Sequence, residues 1–304
     1  MDKFLQKAGL IGLIIILLTG ATIGFLNYTA DNADKKEMLT IQDVARTLKD
    51  AGFTLVADRH ENPAGYKMGQ ALPSIYQVKE FDGTLFFYHF ASIGERNSAY
   101  SQWEEAGRKN NSDSLSNMFT PKWQFQIAFA AKNTILVIGL PQFPSNEYSQ
   151  KITPHILNMG KAVFYNLNEG KQVVYQGEGE YWKGKVIFYY YNHFWTDDKG
   201  VNRYDGWSRK QLTLAFKGDP GTIHGDFSYE LQTLSGKAGG TSSDGFDTRQ
   251  FAERESVYNY GGTVLSMGGA VGGSGGFFPQ EDSVYTYTVK WNNNQETFKL
   301  KAVD

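Results

Sequence analysis

Three patterns of apolar and polar residues follow one another along the chain. From Ala8 to Ala30 no charged residue occurs, and the centre of that stretch reads LIGLIIILL, Leu10 to Leu18. Between residues 39 and 168, helical periodicity alternates with short apolar runs. From Lys171 onward the helical period is gone and single-parity alternation replaces it. Val173 and Tyr175; Val186, Phe188 and Tyr190; Leu212, Leu214 and Phe216; Phe227, Tyr229 and Leu231; Tyr285, Tyr287, Val289 and Trp291; and Phe298 and Leu300 each keep one parity. Every such strand has one apolar face and one polar face.

The first pattern predicts a membrane span. Ala8 to Asn27 as a helix is about 30 Å long, the thickness of a bilayer's hydrocarbon core. Lys3 and Lys7 precede it and Asp31 and Asp34 follow, which sets residues 1–7 in the cytoplasm and the bulk outside. The alternative is secretion after cleavage at Thr19-Gly20-Ala21, but Ile23, Gly24, Phe25 and Leu26 carry the apolar run past that point. The expectation is an uncleaved anchor over 8–27 and a polar linker over 28–38.

The second pattern predicts an α+β domain over 39–168, an antiparallel sheet with helices on one face. Thr40 and Asp43 open a helix whose apolar positions are Ile41, Val44, Ala45 and Leu48, with Gly52 as its stop. Phe53 to Ala57 reads as a strand, and Ser74 to Phe81 and Thr84 to Ala91 as a hairpin across Asp82-Gly83. Ser92 and Glu95 cap a second helix with a stripe of Ala99, Trp103 and Ala106. Lys109 to Asn117 is a polar loop, and Trp123 to Ala130 and Asn133 to Leu140 are two further strands. Ser145 to Leu167 is helical, with Pro154 marking a kink or a fresh start.

The third pattern predicts an all-β sandwich over 171–304, closed by a hairpin across Asn292-Asn293-Asn294. That closing phrase, VKWNNNQETFKL (Val289 to Leu300), resembles the terminal hairpin of exported β-sandwich domains in Gram-positive proteins of unassigned function. The resemblance spans about a dozen residues and implies a compartment and a fold, not an activity.

Composition narrows the chemistry. Thirty basic and 32 acidic side chains leave a formal charge of −2, so no basic surplus recruits nucleic acid. Cysteine is absent, which removes disulfides, thiolate metal sites, thiol nucleophiles and a lipid-bearing lipobox together. An exported chain of this kind is stabilised by its core, a habit of Gram-positive envelopes. Gly272 to Gly276 satisfies G-x-S-x-G, but all five histidines precede Ser274 and no helix is expected after it, so no nucleophile is assigned. His89 and His193 lie among strand aromatics, where packing outweighs metal ligation. Gly261 to Gly276 reads as a bulged edge segment.

One region is dense in recognition residues. Trp195, Asp197, Asp198, Tyr204, Asp205 and Trp207 lie on one long hairpin with Tyr189-Tyr190-Tyr191 in its rising strand. Aromatic rings with polar tips suit a binding surface. Asp197, Asp198, Asn202 and Asp205 invite a calcium reading, but the spacing misses the EF-hand loop, and Lys199 and Arg203 favour solvated, paired carboxylates. The expectation has no cofactor, no metal and no catalytic residue. It is a membrane-anchored envelope protein that binds a cell-wall glycan, a peptide or another envelope protein. The alternatives are a sensory ectodomain acting with a membrane partner, and an enzyme of another type such as a carboxylate-pair glycosidase.

Overall fold

The computed structural model describes residues 38–108, 125–140, 146–197, 199–234, 236–266, 269–271, 279–280 and 282–303. The expected anchor 8–27, the loop 109–117, Asp198 and the G-x-S-x-G run lie outside the described residues. Among the described residues, no helix is long and apolar enough to cross a membrane. The fold is mixed, mostly strands, in two antiparallel sheets.

Helix α1 (Ile41–Asp50) begins at a reciprocal cap: Thr40 Oγ1 accepts from the Asp43 N–H, and the Asp43 carboxylate accepts from the Thr40 N–H. Strands β1 (Leu55–Ala57), β2 (Ser74–Val78) and β3 (Gly83–His89) form a meander. The β2–β3 turn is Lys79 to Asp82, because Gly83 already pairs with Val78; the expected two-residue Asp82-Gly83 turn is two residues too short. Helix α2 (Ile93–Arg108) starts at Ser92, whose Oγ accepts from the Glu95 N–H. Strands β4 (Phe125–Ala131) and β5 (Thr134–Leu140) turn at Lys132-Asn133. Helix α3 (Asn146–Lys161) continues through Pro154 and widens into a π-helical stretch, Ala162–Leu167.

The first sheet is covered on both faces, not on one as expected. Leu85, Phe87, Ile127, Phe129, Leu136 and Ile138 pack under α1 and α3, against Val44, Leu48, Ile156 and Met159. The opposite parity, Phe86, Tyr88, Ala128, Ile135 and Val137, packs under α2 against Ala99 and Trp103. The reason is in the strands: Leu85–Tyr88 and Ile135–Ile138 are apolar at every position, the signature of a strand buried from both sides.

The second sheet comprises β6 (Lys171–Glu178), β7 (Trp182–Thr196), β8 (Asn202–Phe216), β9 (Phe227–Thr233), β10 (Gly236–Ser242), β13 (Val284–Trp291) and β14 (Asn294–Val303). Their order is β10-β9-β13-β14-β6-β7-β8, one sheet and not the two of a sandwich. The Trp182 ring on β7 lies 5.7 Å from Phe227 on β9, although three strands separate them. In a flat sheet that separation is about 19 Å at ~4.8 Å per strand, so the sheet is rolled and its apolar face closes on itself. Gly177 and Gly184 stand opposite each other at the bend. A Cβ on Gly184 would lie 2.6 Å from the Tyr287 ring, and one on Gly177 would strike the Lys299 carbonyl. Alternation cannot distinguish a rolled sheet from a sandwich, since each strand buries one face in either. The closing turn uses only Asn292 and Asn293, both at positive φ (43° and 64°), as a tight hairpin demands.

Between β10 and β13 the chain returns to the first sheet. Strand β11 (Thr263–Ser266) pairs with β4, Thr263 opposite Ala128, and β12 (Gly269–Val271) forms the outer edge. The first sheet therefore runs β1-β2-β3-β5-β4-β11-β12. The described part of the glycine-rich segment thus adds two strands to the N-terminal sheet, with β12 at its edge.

Candidate functional site

Strand β6 accompanies β7 only as far as Lys171 opposite Tyr190. Beyond that point β7 has β8 alone, out to Thr196 opposite Asn202. The hairpin leaves the sheet as a two-stranded arm, which by itself would be marginally stable in water. One face of the arm is fastened down. Tyr191, His193, Asp205 and Trp207 share that face and are all buried. Phe164 of the π-helical stretch stands edge-on to Trp207 at 5.8 Å, and Tyr191 stacks on His193 at 5.1 Å.

The fastening is also ionic. Asp205 accepts from Arg96 Nη2 at 2.7 Å, and both side chains are nearly sealed, at 4% and 9% exposure. Arg96 Nε donates to the Lys132 carbonyl at 2.7 Å, tying the arm to the β4–β5 turn. His193 Nε2 donates to the Asn168 carbonyl at 3.0 Å, and its Nδ1 is 3.6 Å from Asp205 Oδ2. Burial alone would raise the Asp205 pKa; the His193 ring and the Arg96 guanidinium outweigh it and hold the carboxyl below its ordinary value. Beside them, burial pushes the Tyr191 and Tyr100 phenols up. A His–Asp pair has the composition of an acid–base dyad, but here both side chains are buried in the seam between two sheets.

The other face of the arm carries exposed rings. Phe194 and Tyr204 stand opposite each other with ring centroids 4.9 Å apart. Phe194 is 69% exposed, the highest among the exposed large apolar side chains of the described residues; Tyr204 across from it is 42% exposed, and Val201, at the turn opposite Asp197, is 46% exposed. Asp197 organises the tip: its carboxylate accepts from the Lys199 and Val201 N–H groups at 3.0 and 2.9 Å and from Arg203 Nε at 2.8 Å. The Val201 N–H bond is the largest reason its pKa is lowered.

The six residues expected to form a ligand surface therefore separate. Tyr204 is exposed and Trp195 half-buried at the tip; Asp197 is consumed by the turn; Asp205 and Trp207 are in the seam; Asp198 lies outside the described residues. Among the described residues, no group of three or more metal-ligating side chains is arranged to hold an ion. Phe194, Val201 and Arg96 were not among the expected site residues. The signal for Phe194 is in the alternation. Phe188 and Tyr190 continue the inner parity of the core, then Asn192 and, opposite it, Gly206 interrupt it, so the next pair on that parity, Phe194 and Tyr204, is already past the core.

At the root of the hairpin, where Trp182 touches Trp291 at 5.5 Å, an open polar cleft of about 620 Å³ lies between Asp226, Ser228, Thr241, Lys290 and Gln295. The 15 residues of β7 put the arm's tip about 46 Å from that root. No protein-family model matches the chain, and comparison with curated proteins and with solved structures finds no match.

Proposed function

We propose that this chain is a membrane-tethered, extracytoplasmic binding protein of the cell envelope, anchored by residues 8–27 and making contact through the tip of the β7–β8 arm. The observation that carries the contact is the Phe194–Tyr204 pair, two aromatic rings held in solvent on a ribbon whose opposite face is fixed by a buried ion pair. Exposed aromatics on a rigid mount give contact area at little entropic cost. Support for the tether comes from the charge-free stretch and its flanking charges. The Gram-positive setting implied by the closing hairpin belongs to the same reading.

Two measurements test it. Alkaline extraction is expected to leave the full-length chain in the membrane pellet, and protease added outside intact cells to degrade its bulk; release, or protection of the bulk, removes the tether. Because the chain has no cysteine, Phe194→Cys and Gln295→Cys each give a single attachment point for a photoreactive group. Envelope cross-links are expected from position 194 and not from 295. Equal yields would dismiss the arm as the contact.

A further inference from the structure

The undescribed N-terminal residues join the rest of the molecule beside the arm. The Leu39 N–H donates to Asn133 Oδ1 at 2.7 Å, and the Leu39 carbonyl accepts from Asn133 Nδ2 and His89 Nε2 at 3.2 and 3.0 Å. Asn133 follows Lys132, whose carbonyl accepts from Arg96, and Arg96 holds Asp205, the neighbour of Tyr204. Asn133, Lys132 and Arg96 thus link Leu39 to the arm. The polar segment 28–38 reaches at most about 40 Å when fully extended. The arm is thus at the tethered end of the molecule, and the polar cleft is at the far end of β7.

We infer that the tip of the arm, with Phe194 and Tyr204 on one face, Trp195 on the other and Val201 at the turn, rests in the headgroup region of the same bilayer that residues 8–27 span. The inference rests on the tether proposed above. Area decides for lipid over a protein partner. Taking ~200 Å² for a whole aromatic side chain, the exposures of 69% for Phe194 and 42% for Tyr204 leave roughly 220 Å² of exposed ring surface, against the ~800 Å² per partner of a stable protein interface. A tether raises the effective concentration of the bilayer to the millimolar range or above, so a patch too small to bind from solution is occupied. Tyr and Trp suit the boundary because each has an apolar body and a polar tip. Charge contributes little: Asp197 and Asp198 cancel Lys199 and Arg203.

The test uses full-length protein in vesicles of phosphatidylcholine alone and of phosphatidylcholine with phosphatidylglycerol. Leu17→Cys, Val201→Cys and Gln295→Cys each carry an environment-sensitive fluorophore, and nitroxide-bearing lipid is the quencher. Strong quenching is expected at 17 and at 201, several-fold weaker quenching at 295, and no difference between the two lipid mixtures. Adding Phe194→Asp to Val201→Cys is expected to abolish quenching at 201 and leave a Leu17→Cys, Phe194→Asp chain quenched at 17. Quenching at 17 with none at 201 above the level of 295 overturns the inference and spares the tether. No quenching at 17 overturns the tether reading and the inference with it. Quenching at 201 that survives Phe194→Asp reports the dye's own affinity for lipid and also overturns it. A label at 201 shielded from aqueous iodide in native envelopes but not in pure lipid assigns the tip to a protein or glycan instead.

Discussion

The two sheets hold seven strands each and solve the same burial problem by different means. The first borrows helices: α1 and α3 cover one face and α2 the other, so its central strands are apolar at both parities. The second covers its inner face by rolling, with Trp182 and Trp291 in contact although two strands separate them, and with Ile223, Phe246 and Phe251 of the connecting segments packed against the same core. Its outer face is buried where the arm and the adjoining part of β7 press on the first unit, through Ile187, Tyr189, Tyr191 and Trp207. Two consequences follow for energetics. The first sheet depends on packing between layers, whereas the second depends on a bend. The join between them depends on charge as well as on rings.

The sharpest way to break this comparison is to hollow each core. Trp103→Ala in the first unit and Trp182→Ala in the second, both fully buried, are each expected to cost about 3–5 kcal/mol. Since β11 stitches the units together, urea unfolding followed by circular dichroism is expected to show one shared transition moved by either change. Two midpoints, each responding to one variant, would mean that the sheets unfold separately.

The seam comes next. Arg96→Ala leaves Asp205 buried without its cation and is expected to cost about 3 kcal/mol, the low end for a broken buried pair because His193 stays beside the carboxylate. Replacing both, with Arg96→Met and Asp205→Leu, is expected to recover most of that loss. The Asp205 pKa is lowered in the folded state, so its contribution is full above the unfolded value near ~3.9 and is lost as pH falls through the folded value. The stability gap between wild type and Arg96→Ala is therefore expected to narrow below about pH 4. A gap that is constant from neutral pH down to pH 2 would remove the ionic account of the seam. The smallest effect is at the bend: Gly184→Ala drives a methyl toward the Tyr287 ring and is expected to cost about 1–3 kcal/mol by overpacking. A neutral result would show that the roll does not need that glycine pair.

What could be read from the chain beforehand is what is local. The Thr40–Asp43 cap, the paired strands of the first unit and the closing hairpin, whose turn was expected one residue longer, are each fixed by residues within a few positions of one another. The two-sided burial of β3 and β5 was also written there, in unbroken apolar runs. The rolled sheet was not, because alternation records that one face is covered and not what covers it. Nor was the partner of β11, since the pairing of Val264 with Ile127 leaves no trace at either position. The arm shows both cases. Its aromatic density marked it, but Asp205 and Trp207 share the parity that faces the other sheet, and only knowledge of that neighbour separates them from Tyr204.

The returning strand has a temporal consequence. Strand β4 must wait for Thr263–Ser266, about 135 residues downstream, before its second edge is satisfied. At ~5–20 residues per second a ribosome needs on the order of ten seconds to deliver them, and throughout that interval Phe125–Ala128 offers open amides to any other nascent chain nearby. The last structural piece of the earliest-made sheet is thus among the last to be synthesised, which makes a holding chaperone most useful during that window.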